Sequence, residues 1–94
     1  MDKFVKADAG KPRYDLLPPG PIHEVVKVLT FGAAKYGPDN WRLCTEPWRY
    51  VRAGLGHIFA HMRGEKLDEE SELPHLAHAA CCLLFLLGLE EQKS

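Results

Sequence analysis

Four of the five histidines in this 94-residue chain fall within residues 49–87, at spacings that suit chemistry. His57 and His61 stand four apart and His75 and His78 three apart. Both intervals place two imidazoles on one face of a helix. Glu65, Asp68, Glu69 and Glu70 lie between the pairs. Neutral imidazole is a good ligand for zinc, nickel, iron or manganese, so two facing pairs joined by Glu65 or Asp68 would make a mixed site with an open position. The same carboxylates, with Glu24, could instead hold magnesium bridged to phosphates, because that ion takes oxygen ligands and keeps waters. A plain solvated acidic loop is the third reading of this stretch.

A second group has the makings of a nucleotide site. Tyr14, Tyr36, Trp41 and Trp48 occur near Lys11, Arg13, Lys27 and Lys35, a mixture that can stack a base while pairing a phosphate. Aromatic residues at these spacings also serve as core. Arg49, Arg52 and Arg63 gather on one edge of the second helical run. The sequence has no glycine-rich phosphate loop, no Ser/His/Asp arrangement and no Cys-x-x-Cys, which disfavours a nucleophilic enzyme. Cys44 alone is a weak nucleophile candidate.

These residues must be positioned by one small domain, since 94 residues are too few for two. With 46% hydrophobic and 27% charged residues, the composition is that of a globular protein. A formal charge of -1 gives no basic field to recruit a nucleic-acid polymer. The three cysteines include the adjacent pair Cys81 and Cys82, which cannot easily bridge each other. A reducing cytoplasm is the simpler setting. Residues 1–10 have no apolar signal-peptide core, and the run from Cys81 to Leu87 is too short to span a bilayer.

The elements follow from the apolar spacing. Residues 1–10 read as a flexible arm, and the proline-rich Lys11–Pro21 as an extended strap that packs Tyr14, Leu16 and Leu17 over the domain. Helix one is expected from Pro21 to Tyr36, with Ile22, Val25, Val26, Leu29, Ala33 and Tyr36 as its apolar stripe. Gly37-Pro38-Asp39-Asn40 is a turn. Helix two is capped by Thr45 and started by Pro47, with Trp48, Val51, Leu55, Ile58, Phe59 and Met62 as its core face; Tyr50, Gly54, His57 and His61 lie opposite. Gly64 ends it. Helix three is capped by Ser71 and runs to Glu90, apolar on every side from Leu76 to Leu89. Such a helix must be covered all round, so it is expected to meet a second chain as well.

Several ordered blocks then resemble a known family. They are Lys11-x-Arg13-Tyr14-Asp15-Leu16-x-Pro18, Phe31-Gly32-Ala33-x-Lys35-Tyr36-Gly37-x-x-Asn40-Trp41, Arg49-Tyr50, His57, Gly64-Glu65-x-x-Asp68-x-Glu70-Ser71 and His75-Leu76-Ala77-His78-Ala79. Together they resemble the N-terminal domain family of phage dATP/dGTP diphosphohydrolases over about residues 9–89. The resemblance implies an all-α fold, distantly similar to MazG-like nucleotide pyrophosphohydrolases, and cleavage of a purine deoxynucleoside triphosphate to monophosphate and pyrophosphate. His61 stands where that family usually has an aromatic residue.

The resulting expectation is an all-α, antiparallel bundle of about three main helices with an N-terminal strap, assembled as a homo-oligomer through helix three. Residues 11–94 form its nucleotide-binding domain. Glu65, Asp68 and Glu70 are the candidate catalytic acids. Lys11, Arg13, Tyr14, Lys35, Tyr36, Asn40, Trp41, Arg49, Arg52, His57, His75 and His78 are the candidate ligand-binding residues. Glu65, Asp68, His75 and His78 are the candidate metal ligands, for magnesium or manganese. Two alternatives stand beside the hydrolase. One is a non-catalytic protein that sequesters a nucleotide-derived or cyclic-nucleotide signal in antiphage defence, and the other a structural helical module.

Overall fold

Three helices carry the fold, and in a computed structural model describing residues 2–93 they are α1 (Pro19–Tyr36), α2 (Trp48–Met62) and α3 (His75–Lys93). Met1 and Ser94, the outer ends of the expected arm and domain, lie outside the described residues. Short 3-10 turns at Tyr14–Leu16 and Asn40–Leu43 complete the regular structure, with one isolated antiparallel bridge between Leu67 and Pro74. The expected all-α architecture is therefore what the chain adopts. No helix among the described residues is long and apolar enough to cross a membrane.

The helix boundaries follow local chemistry. α1 begins two residues before the expected Pro21, because Pro19 also suits a first-turn position whose N–H has no helical partner. It ends where Gly37 takes φ 94°, a conformation glycine adopts without steric cost. Thr45 makes no cap for α2; Pro47 occupies that position and its carbonyl accepts from the Tyr50 N–H. Gly64, at φ 95°, follows the end of α2 as expected. Ser71 does not cap α3, which starts four residues later, where the Pro74 carbonyl accepts from the Ala77 and His78 N–H groups. α3 continues past the expected Glu90 to Lys93.

The main departure is the face that α2 turns inward. Gly54 and Ala60 are buried, and Gly54 lies so close to α3 that a Cβ there would meet the Cys82 Cβ at 3.3 Å. Only a small residue fits such an approach. On the α3 side Cys82 is likewise buried, so the two helices meet there through small side chains. Trp48, Val51, Leu55, Ile58, Phe59 and Met62, expected as the core face, are all exposed. The stripe opposite, with Tyr50, Gly54 and His57, is the one that meets α3.

α1 rests on α3, with Val28 against Ala77 and Cys81 and flanked by Val25, Leu73 and Phe85. Trp41, on the 3-10 turn after α1, stacks on Phe85 of α3 with centroids 5.4 Å apart. The strap, by contrast, does not pack on the domain: Tyr14 is 79% and Leu16 68% exposed. Its short 3-10 turn is held by its own Arg13–Asp15 ion pair at 2.8 Å instead. α3 is also incompletely covered, with Leu76, Leu83, Leu84 and Leu87 exposed.

Gly88 of α3 provides a direct check, since the Trp41 indole fills the space that a Cβ on Gly88 would need. Glycine-to-alanine exchange inside a helix ordinarily gains about 1 kcal/mol. Overpacking costs about 1–3 kcal/mol, so Gly88→Ala is expected to lower the urea midpoint rather than raise it. A raised midpoint would show that Trp41 is not seated against α3.

Candidate functional site

The α2–α3 seam brings three imidazoles together. His57 Nδ1 lies 2.8 Å from His75 Nδ1, and the His57 ring stacks on His78 with centroids 4.6 Å apart and planes 14° from parallel. His75 is buried at 9% exposure, whereas His57 and His78 are half-buried. For the two Nδ1 atoms to share a hydrogen bond, one must donate and the other accept, so at least one ring is neutral.

The loop from Gly64 to Pro74 supplies the carboxylate. Its ends are tied by the His75 N–H donating to the Lys66 carbonyl at 2.9 Å and the Asp68 N–H donating to the Leu73 carbonyl at 2.9 Å. Glu72 closes the turn at φ 59°, a left-handed conformation, with its N–H donating to the Asp68 carbonyl. Asp68 Oδ2 then accepts from the Glu70 N–H, the Ser71 N–H and the Ser71 hydroxyl at 3.1, 3.0 and 3.2 Å. Ser71 Oγ also contacts His78 Nε2 at 2.7 Å, which is the role it takes in place of helix capping.

Burial holds the His57 imidazole below its usual pKa, helped by the neighbouring His78 and His75 rings. Burial likewise lowers His78, more strongly than Asp68 raises it. For Asp68 burial acts upward, but the Ser71 N–H and hydroxyl, with His78 and His57, outweigh it and lower the carboxyl pKa. At pH 7 the site thus holds His57 and His78 neutral beside a charged Asp68 carboxylate.

These groups form the polar end of a cavity of about 570 Å³, the size of many small-molecule sites. Its other end is aromatic and apolar, with Trp41, Phe85, Tyr50, Val28 and Cys81. Lys35 enters from α1, its ammonium donating to both Glu70 carboxylate oxygens at 2.8 and 2.7 Å and lying 5.2 Å from the Tyr36 ring centroid. The Glu70 hydrogen bond raises the Lys35 pKa, so Lys35 is a fixed positive charge.

Of the residues singled out in the sequence, Lys35, Tyr36, Asn40, Trp41, His57, Asp68, Glu70 and His78 line this cavity. His75 lies beneath it against His57. Arg49 and Arg52 line an adjoining depression that shares Tyr36, Asn40, Tyr50 and Ala53 with the cavity. Lys11, Arg13 and Tyr14 stay on the strap, outside both linings. Glu65 also lies outside, paired with Arg63 at 3.1 Å. Phe85 and Tyr50 line the cavity without having been singled out as ligand-binding; Phe85 sits within a uniformly apolar run, which hides it, whereas Tyr50 lay on the same predicted stripe as His57.

The helical domain thus lines an aromatic cavity whose polar end carries histidines, a lysine and acids. The chain belongs to the dATP/dGTP diphosphohydrolase N-terminal family, whose sequence profile matches residues 2–94. It is 37% identical over 86 residues to a dATP/dGTP diphosphohydrolase of Salmonella phage PMBT28, a match covering 90% of this chain and 29% of that relative. The chain thus spans less than a third of the length of the curated relative it matches. No solved structure matches it.

The histidine environment fixes a sign for pH dependence. His57 and His78 have folded pKa values below the unfolded value of about 6.5, so they contribute stability that is fully present above that value. It is lost as pH falls through the folded values. In chelator-containing buffer the melting temperature is expected to hold steady down to about pH 7 and to drop toward pH 5. A flat profile across that interval would show that the imidazoles are not desolvated.

Proposed function

We propose that the cavity binds a purine deoxynucleoside triphosphate, and that the domain contributes to its hydrolysis to the monophosphate and pyrophosphate. One observation carries this reading: a single 570 Å³ cavity joins an aromatic wall of Trp41, Tyr50 and Phe85 to a polar end with Lys35, Asp68, Glu70, His57 and His78. The aromatic wall suits a base, and the polar end suits phosphates. The name and substrate of the phage relative agree with it.

Charge decides what else must enter. Two carboxylates and one ammonium at the polar end cannot by themselves receive a triphosphate, whose charge has the same sign as Asp68 and Glu70. A divalent cation, magnesium or manganese, would be held by Asp68 and would supply positive charge to offset that repulsion. The chain's own residues do the rest. Lys35 neutralises charge on a phosphate oxygen, and neutral His78 accepts the proton of the attacking water. Water adds to one phosphorus atom as the bond to the pyrophosphate oxygen breaks. Glu70 remains in this set through its hydrogen bonds with Lys35, while Glu65 would need to leave Arg63 to join it.

Capture without cleavage is the second reading, favoured by the position of Glu65 outside the cavity and by the two-bond clamp between Lys35 and Glu70. It makes the domain a holder of a nucleotide or nucleotide-derived signal. Incubation of the purified chain with dGTP or dATP and manganese or magnesium separates the two. Hydrolysis yields dGMP or dAMP and pyrophosphate in equal amounts, and His78→Ala lowers the rate about 100-fold or more. Recovery of intact nucleotide from a stable complex selects capture, and neither cleavage nor binding eliminates both.

We further infer that a second copy of the chain covers the outward stripe of α2 together with the exposed leucines of α3. Trp48, Leu55, Phe59 and Met62 of α2 and Leu83 and Leu87 of α3 are large apolar side chains left exposed, and burying them against a partner is favourable. Both helices present such residues, so a two-fold pairing buries like against like. Light scattering is expected to give a dimer or higher oligomer for the native chain and a monomer for Leu55→Glu with Phe59→Glu. A native monomer at micromolar concentration refutes the pairing.

A further inference from the structure

We propose that His57, His75 and Asp68 bind one divalent first-row transition cation, selecting manganese, iron, cobalt, nickel or zinc over magnesium. One potential ligand atom from each of the three residues lies within 4.8 Å of the others, and one of the residues, His75, is buried. The proposal deepens the reading of a cation-assisted phosphate site, but the binding of the ion itself does not rest on a nucleotide being present.

The donor types make the selection. Magnesium demands oxygen ligands in octahedral array and dehydrates reluctantly, whereas two imidazoles favour the transition series. A pair of histidines with one carboxylate leaves coordination positions open, and here His57 and Asp68 both border the cavity. The open positions therefore face the space assigned to phosphate oxygens.

The spacing is close to what an ion needs. Nitrogen atoms bound to one tetrahedral metal at about 2.0–2.1 Å stand roughly 3.3 Å apart. His57 Nδ1 and His75 Nδ1 are 2.8 Å apart, so a separation of about half an ångström admits the ion and replaces the hydrogen bond between the rings. An imidazole–imidazole hydrogen bond accounts for those two rings by itself. It does not account for the third donor, which is held for them by a closed loop.

Asp68 is oriented in the way metal-bound carboxylates are. Its hydrogen bonds run through Oδ2, to the N–H groups of Glu70 and Ser71 and to the Ser71 hydroxyl, so Oδ1 has no hydrogen-bond partner among the described residues. Ser71 Oγ in turn meets His78 Nε2, which links the carboxylate to the ring stacked on His57. Such outer partners fix the geometry of ligands and strengthen binding.

The test uses the full chain, stripped with chelator and free of nucleotide, titrated with cobalt(II) and followed by its visible absorption and by metal analysis after dialysis. The expected result is one cobalt per chain, not displaced by a hundredfold excess of magnesium. His57→Gln and Asp68→Asn are expected to weaken binding at least about tenfold each while the circular dichroism stays helical, and His61→Gln to leave it unchanged. Absence of cobalt binding overturns the proposal. So does equal binding by His57→Gln, or ready displacement by magnesium. Failure of nucleotide hydrolysis with cobalt still bound would instead count against the proposed function and leave the metal site standing.

Discussion

The close approach of α2 to α3 is the constraint on which the rest of the structure depends. Gly54 against Cys82 leaves no room for a larger side chain, and that proximity sets His57 beside His75 and over His78. It also decides what cannot be inside. A seam of glycine, alanine and cysteine has no holes for tryptophan, phenylalanine or methionine, so those residues of α2 are turned to the opposite side. One packing decision thus produces both the polar cluster and the apolar exterior.

Much of this was legible in the sequence. The number and order of helices follow from the 3.6-residue spacing, and Gly37 and Gly64 mark the two helix ends they terminate. The convergence of His57, His75 and His78 was readable from their spacing and from the family pattern; spacing alone grouped His61 with them, and only the family pattern set it apart, in keeping with its absence from the cavity lining. The inward face of α2 was not. Periodicity finds the most hydrophobic stripe but is blind to what covers it, and the true seam of Gly54 and Ala60 carries almost no hydrophobic signal. Ser71 misled for a related reason: a serine ahead of an apolar run reads as a cap, while its real partners, Asp68 and His78, are set by tertiary contact. Tyr14 and Leu16 are apolar enough to suggest a packed strap, yet both stay exposed beside their own Arg13–Asp15 ion pair.

The site combines two environments that rarely coexist without a reason. The half-buried His57 and His78 imidazoles are costly to charge, and the carboxylate beside them is stabilised in its charged form by backbone N–H groups. The loop that holds Asp68 is braced by its own backbone hydrogen bonds, so the arrangement does not await a ligand to form. Preorganisation of this kind lowers the cost of binding and of any charge movement that follows. Lys35 and Glu70 complete it from opposite sides of the cavity mouth, joined by a bond that an incoming anion would compete with.

The manner in which α1 is attached has an evolutionary consequence. α1 rests on α3 through Val28 and its neighbours, whereas the histidine cluster is built from α2, α3 and the loop between them. The imidazoles and the α1 wall of the cavity are therefore carried by separate parts of the chain. Phe31 lines the cavity from a helix that carries none of the three imidazoles. A lineage of such domains is free to vary that wall while keeping its histidine cluster, so sequence divergence around the cavity should collect on α1.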